Sequence, residues 1–242
     1  MPQNKFEIQD SQYAEPYHHF VSMDGNFYKE LPWGLEYYGY ISRVMHYVGN
    51  GKVADVGCGD GKLIFELAKK FPDSFFHGYD LSERAVQFAK AYSHGFTNVE
   101  FNFSDFSESN GDFDVITCIE TLEHVPDKDI TKFVGMLYEK ISKNGTLIIT
   151  VPTTVVPLNK KHYRHYDEKL LKKQLEGKFE IIKFEWVHDG KGSWLIRHLL
   201  ANRFWILKFE PLRKFLVNLY NKFFLITDSK RGEHLLAVCK PI

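Results

Sequence analysis

Two short stretches of this sequence gather side chains that could move protons or hold ions. The first, Glu120-Thr121-Leu122-Glu123-His124-Val125-Pro126-Asp127, sets two carboxylates and an imidazole within five residues. Such a set can hold a divalent cation, or His124 can serve as a general base. In a plainer reading Glu120 contacts a cofactor while Glu123 and His124 order the loop. The second stretch is His162-Tyr163-Arg164-His165-Tyr166-Asp167. Here His162 or His165 could accept a proton and Arg164 could bind an anionic group. The alternative is a solvated basic loop capped by Asp167. His124, His162 and His165 are the candidate catalytic groups. An aromatic and histidine cluster at 13–20 (YAEPYHHF) either closes over a ligand or packs as an arm.

A third pattern concerns binding. In Gly57-Cys58-Gly59-Asp60-Gly61 the glycines permit a sharp turn and close approach of a ligand to the backbone. The turn follows a strand, opens a helix, and has Asp80 at the end of the next strand, placed to bind both hydroxyls of an adenosine ribose. Asp55 and Asp60 flank it. Two carboxylates would repel a pyrophosphate and attract a cation. The turn therefore selects a cationic cofactor, and a dinucleotide is the poorer reading.

Positioning these groups requires a regular scaffold. Apolar periodicity predicts strands at 52–58, 74–81, 98–102, 113–119 and 146–151, the last ended by Pro152. Between them it predicts helices at 62–71, 83–93 with Ser82 as N-cap, and 127–142, stopped by Lys143-Asn144-Gly145. A helix at 168–175, a strand at 179–186, a helical stretch at 194–226 and a strand at 235–239 follow. Pro211 is expected to break the long helical stretch in two. This alternation means a doubly wound, mostly parallel α/β sheet, with the last two strands as an antiparallel edge. Residues 187–232 would leave from the sheet's carboxyl edge, where such folds bind ligands, as a helical lid. Residues 1–49, with Trp33, Tyr37, Tyr38 and Tyr40, would form an N-terminal helical and aromatic cover on the domain at 50–242.

The run Val53-Ala54-Asp55-Val56-Gly57-Cys58-Gly59-Asp60-Gly61 resembles motif I of the class I S-adenosylmethionine-dependent methyltransferases. Asp80, in Gly78-Tyr79-Asp80-Leu81-Ser82, matches the family's ribose-binding acid. Ser104-Asp105-Phe106 matches the segment whose acid and following apolar residue hold the adenine. Residues 113–118 match the fourth strand, and Lys143-Asn144-Gly145-Thr146-Leu147 the turn into the fifth. The resemblance covers roughly residues 50–152 and implies a Rossmann-like sheet of seven strands whose last strand is antiparallel. It implies S-adenosylmethionine as methyl donor, contacted by Asp55, Gly57, Cys58, Gly59, Asp60, Gly61, Asp80, Leu81, Asp105, Phe106 and Glu120.

The E-x-x-E-H pattern is similar to that of ubiquinone-biosynthesis O-methyltransferases and of methyltransferases acting on the 3′-terminal 2′-hydroxyl of small RNAs. In the RNA enzymes these residues and a later histidine hold a metal. The segment after the fifth strand resembles the H-x-R-x-Y segment of sugar and other small-molecule methyltransferases, and departs from the D-H-x-F-E-W pattern of the RNA enzymes. The leading expectation is thus a small-molecule acceptor, sugar-linked or quinone-type, methylated on a hydroxyl or an amine without a bound metal. The alternative is a metal-dependent RNA 2′-O-methyltransferase using Glu120, Glu123 and His124. A cofactor-binding regulatory or partner subunit is the non-catalytic alternative.

Composition narrows the partners. Hydrophobic content of 44% and charged content of 26% are those of a globular domain, and the formal net charge of zero argues against a nucleic-acid partner. Three dispersed cysteines and a polar start without an apolar run point to the cytoplasm. Residues 194–226 hold six Lys/Arg and one acid among many aromatics. That composition suits a lid packed on the core, a membrane-surface element presenting a lipid- or carrier-linked acceptor, or a dimer contact. Both a monomer and a homodimer are compatible with it.

Overall fold

The structure is a computed structural model and describes residues 4–21, 33–202 and 204–242. The part of the N-terminal cover at 22–32 lies outside the described residues. The first strands and helices alternate as their apolar spacing requires: β1 (Lys52–Val56), α3 (Lys62–Lys70), β2 (Phe75–Asp80), α4 (Glu83–Tyr92), β3 (Val99–Phe103), β4 (Phe113–Ile119), α5 (Ile130–Lys140) and β5 (Ile141–Pro152). Ahead of them stand α1 (Lys5–Ser11) and α2 (Gly34–Tyr47). After them come α6 (Glu168–Leu175), β6 (Phe179–Asp189), α7 (Trp194–Leu200), α8 (Glu210–Phe223), β7 (Ile226–Thr227) and β8 (Gly232–Pro241). The predicted caps form: Ser82 accepts from the Ala85 amide and Asp167 from the Leu170 amide.

The strands make one sheet in the order β3-β2-β1-β4-β5-β8-β6-β7. Pairing is parallel from β3 through β5 and antiparallel wherever β8 takes part. The chain winds outward from β1 in one direction and then from β4 in the other. Their carboxyl ends therefore flank the topological switch point, where a crevice opens between diverging connections. One face of the sheet is covered by α2, α3, α4 and the insertion helices; α5 and α6 cover the other.

Several expected boundaries move. Lys143-Asn144-Gly145 does not stop a helix; it lies inside β5, where the register with β4 shifts between the Phe113 and Val115 pairs. Helix α5 starts at Ile130, because residues 127–129 form a separate 3-10 turn. Pro211 does not sit at the break in the insertion. It occupies the first turn of α8, where a missing amide is harmless, and the break falls at 201–209. The last strand is antiparallel as expected, but it is wedged between β5 and β6 instead of bordering the sheet. The two-residue β7 is an eighth strand that the sequence pattern did not reveal.

Because β5 and β6 are both antiparallel to β8, β6 runs parallel to β5 and the insertion leaves at the carboxyl edge. Its buried residues Ile196, Leu200, Leu216, Val217 and Tyr220 join the core that contains α2.

Candidate active site

At the switch point a cavity of about 1470 Å³ opens. It exceeds the ~300–1,000 Å³ that suits one drug-sized ligand and can hold two reactants side by side. One end is built from the turn after β1. Gly57 and Gly59 lie at φ 77° and 54°, a left-handed region that a side chain disfavours. A Cβ on Gly59 would also strike the Tyr13 hydroxyl at 2.4 Å. Glycine is thus required there on both counts.

Asp80 ends β2 beside this turn. Its Oδ2 accepts from the Gly59 amide and its Oδ1 from the Ser82 amide, both at 2.8 Å. Burial pushes its carboxyl up despite those two bonds. Asp55 is buried, accepts from Thr117 Oγ1 at 2.7 Å, and is pushed up to about 7 by desolvation. Leu81, Asp105 and Phe106 line the same end, and Asp105 caps its 3-10 turn by accepting from the Ser107 amide at 2.8 Å. Gly57, Cys58 and Gly59 line it too.

Asp60 and Gly61, expected at this end, do not line the cavity. The Asp60 carboxylate is turned onto His18, accepting from its amide at 3.0 Å and lying 3.0 Å from its Nδ1. Burial alone would raise the Asp60 carboxyl; His18 and His19 hold it below the usual range. Gly61 is used for packing, since a Cβ there would meet Ala89 at 2.7 Å.

These contacts belong to an N-terminal strap. Asp10 accepts from Ser82 Oγ, Tyr13 lies on Gly59, and Lys5 Nζ donates to the carbonyls of Lys160 and His162. The arm thus crosses the cavity from the β2 end to the loop after β5.

The far end is built from β4, β8, α2 and the loop after β5. Glu120 has φ 49°, an uncommon value for a residue with a side chain, and is held by its amide bond to the Thr150 carbonyl. Its Oε2 lies 3.1 Å from His234 Nδ1, and His234 Nε2 lies 2.8 Å from Glu36 Oε1. Burial would discharge His234, yet the two carboxylates hold its imidazolium well above the ordinary histidine range. Glu120 Oε1 has no hydrogen-bond partner.

Next to this triad, Glu123 is fully buried with both oxygens unpartnered, and burial followed by Glu120 pushes its carboxyl far up. His124 and His162 line the cavity beside it, driven down by burial to about 4 and about 3. His124 Nδ1 lies 3.3 Å from the Lys161 carbonyl, so the proton of the neutral ring sits there and Nε2 is left with a lone pair. Ligand atoms of Glu123, His124 and His162 lie within 4.8 Å of one another, close enough to converge on one cation. Glu120 is not in that group; its Oε2 lies against His234.

His165 and Arg164 are placed differently from His124 and His162. His165 does not line the cavity; its Nε2 lies 2.8 Å from His162 Nδ1 and its Nδ1 3.1 Å from the Val156 carbonyl. It orients His162. Arg164 is buried, with Nε on Asp127 at 2.7 Å and its Nη atoms on the Leu122 and Val125 carbonyls. It pins the loop after β4 and offers nothing to an anionic acceptor. His234 and Glu36 escaped notice because no local spacing links positions 36, 120 and 234. The insertion at 187–232 contributes no described residue to the lining; it touches the site through α2, whose Glu36, Tyr37, Tyr40 and Ile41 do line it.

Comparison with known proteins agrees with this architecture. A family model described as a methyltransferase domain matches residues 48–198. The chain belongs to that family, the class I S-adenosylmethionine-dependent methyltransferases. It is similar to the trans-aconitate 2-methyltransferase of Deinococcus radiodurans, 33% identical over 101 residues that cover 42% of this chain and 38% of that one. It is also similar to the ubiquinone biosynthesis O-methyltransferase of Thiobacillus denitrificans, 42% identical over 82 residues, or 31% of this chain and 34% of that one. The match therefore spans little more than a third of these relatives' length. The N-methyltransferase NodS of Bradyrhizobium japonicum shares the fold with a TM-score of 0.64, at 12% identity and 99% coverage of both chains.

Proposed function

We propose that this protein transfers the methyl group of S-adenosylmethionine to a hydroxyl, or an amine, of a small-molecule acceptor. The donor end fits such a cofactor by its donor set: the Asp55 and Asp80 carboxylates beside a glycine turn suit a ribose diol and a cationic amino-acid end. When bound, the cofactor supplies an electrophilic methyl group on a sulfonium. The protein's task is to bind and align the acceptor, exclude water and receive a proton. Asp80 binds the ribose hydroxyls, Asp55 offers a carboxylate to the ammonium, and the strap keeps water out.

The observation that carries the acceptor class is the unpartnered Glu120 Oε1, beside the Glu36–His234–Glu120 triad. A carboxylate oxygen only accepts hydrogen bonds, so the acceptor that satisfies it must bring O–H or N–H groups. Polyhydroxylated, sugar-linked molecules and phenolic quinone precursors meet that demand better than a polycarboxylate. His124, neutral at physiological pH with a free Nε2, receives the acceptor's proton. Three free, buried cysteines support work in the reducing cytoplasm. Formation of S-adenosylhomocysteine with hydroxylated acceptors tests the reading. Thermal stabilisation by S-adenosylmethionine without turnover on any acceptor would instead indicate a binding subunit.

A second reading, metal-assisted transfer, rests on the convergence of Glu123, His124 and His162. Loss of activity in chelator with recovery in Mn2+ or Mg2+ supports it, and full activity in chelator removes it. Only a direct assay on RNA with a free 3′-terminal ribose would then distinguish an RNA acceptor from a metabolite.

A further inference from the structure

The insertion between β6 and β7 is apolar on more sides than the core consumes. In α8, Arg213, Leu216, Val217 and Tyr220 are buried against the body of the protein. A second stripe, Leu212, Phe215, Leu219 and Phe223, recurs at i, i+3, i+7 and i+11, and all but the partly buried Leu219 are exposed. Phe215 is 60% exposed, a large loss for a ring that could have been buried. In α7, Ile196 and Leu200 face inward while Trp194, Leu195 and Leu199 face out. The connector adds Phe204 at 73% and Phe209 at 65% exposure. These are not scattered side chains. Helices α7 and α8 pack against each other, and an Ala201–Ile206 bridge folds the connector back on α7. Single exposed apolar residues need no explanation, but a patch of this extent marks an interaction surface.

Charge identifies the occupant. The whole chain is neutral, yet residues 194–226 carry six Lys/Arg and one acid; of these Arg213 is buried, and Glu210 is paired with Lys214. Lys208 and Lys222 are exposed beside the aromatic stripe. Two copies of this surface would bring like charges together, which opposes self-association. An anionic bilayer meets both demands, taking the aromatic and aliphatic groups at its acyl boundary and the cations at its headgroups. None of the helices, among the described residues, is long and apolar enough to cross a membrane, so the contact is one of surface docking.

We infer that residues 194–226 dock the protein on an anionic membrane surface through the exposed faces of α7, its connector and α8. Inside, α8 touches α2: Asn221 donates to the Tyr38 hydroxyl, and a Cβ on Gly39 would strike the Tyr220 hydroxyl. Helix α2 supplies Glu36 and Tyr40 to the acceptor end of the cavity. A docked insertion thus lies one helix away from that end.

Co-sedimentation of the full chain with phosphatidylglycerol/phosphatidylethanolamine vesicles and with phosphatidylcholine vesicles tests this without any methyl transfer. The expected result is binding to the anionic vesicles, at least tenfold weaker on phosphatidylcholine and weakened in ~1 M salt, where the Debye length falls to about 3 Å. The pair Phe209→Ser and Phe215→Ser, both exposed, should lose at least tenfold in vesicle affinity while cofactor binding stays unchanged. Lys208→Glu with Lys222→Glu should do the same on anionic vesicles. Absence of wild-type binding to either vesicle, or unchanged binding by both variants, would overturn the inference. So would a dimer in sedimentation velocity that the Phe209→Ser and Phe215→Ser pair dissolves, since the patch would then be covered by a second copy.

Discussion

At the glycine turn the ligand-facing groups are already paired within the protein. Gly59 and Ser82 donate to Asp80, and Thr117 donates to Asp55. At the other end of the same cavity, Glu123 has two unpartnered oxygens and Glu120 one. A buried polar atom without a partner carries a penalty of roughly 1–3 kcal/mol, which a bound molecule can remove. The first end is therefore preformed, its carboxylates held in place before any ligand arrives. The second is left unsatisfied until its own acceptor arrives, which is where members of one family can diverge.

Four substitutions probe that contrast. His124→Ala should have the largest effect, a fall of about a hundredfold or more in kcat, as expected for loss of a general base. Its cofactor affinity should remain within twofold in calorimetric titration. Full activity would remove His124 from the mechanism. Asp80→Ala should weaken cofactor binding roughly 10- to 100-fold, the value of one or two charge-assisted hydrogen bonds. An unchanged titration would sink the ribose assignment.

A third test uses pH. Asp55 is pushed up to about 7 by burial, so in the free protein it is protonated below that value. Its folded value lies above the unfolded one, so its contribution to stability is full below the usual carboxylate range and declines as pH rises toward 7. A cationic ligand needs the ionised form. Affinity should rise about fivefold from one unit below that value up to it and about twofold more before levelling off above, and be accompanied by proton release. In Asp55→Asn the proton release should vanish and the pH dependence flatten; persistence of both would exclude Asp55 as the source.

The smallest effect on chemistry is expected at Arg164. Arg164→Ala removes the guanidinium donor from the Val125 carbonyl and one of several donors from the Leu122 carbonyl, which should lower stability by about 1–3 kcal/mol. Acceptor turnover should suffer only through the loosened loop, while cofactor binding at 25 °C persists. Normal thermal stability would contradict the pinning role.

The same contrast explains what could be read from sequence. The turn at 57–59, Asp80 and Asp105 sit at strand ends fixed by local glycine spacing and apolar alternation, so they were visible. His234 was not: it reaches Glu120 only because β8 runs antiparallel beside β5, a pairing across more than eighty residues. Motif spacing locates Asp60 but says nothing of its rotamer, which His18 captures from the arm. Spacing likewise says nothing of the His165 imidazole, which lies against a neighbouring ring. Pro211 signals a boundary in the sequence, but a proline is favourable at a helix start, and that is where it sits.

The wedged position of β8 has a consequence for biosynthesis. Strands β5 and β6 emerge from the ribosome before the strand that joins them, so their facing ladders stand open while residues 190–231 are made. Open ladders invite mispairing. His234 arrives only with the strand that closes the gap. Sheet closure and the assembly of the Glu36–His234–Glu120 triad are thus one late event.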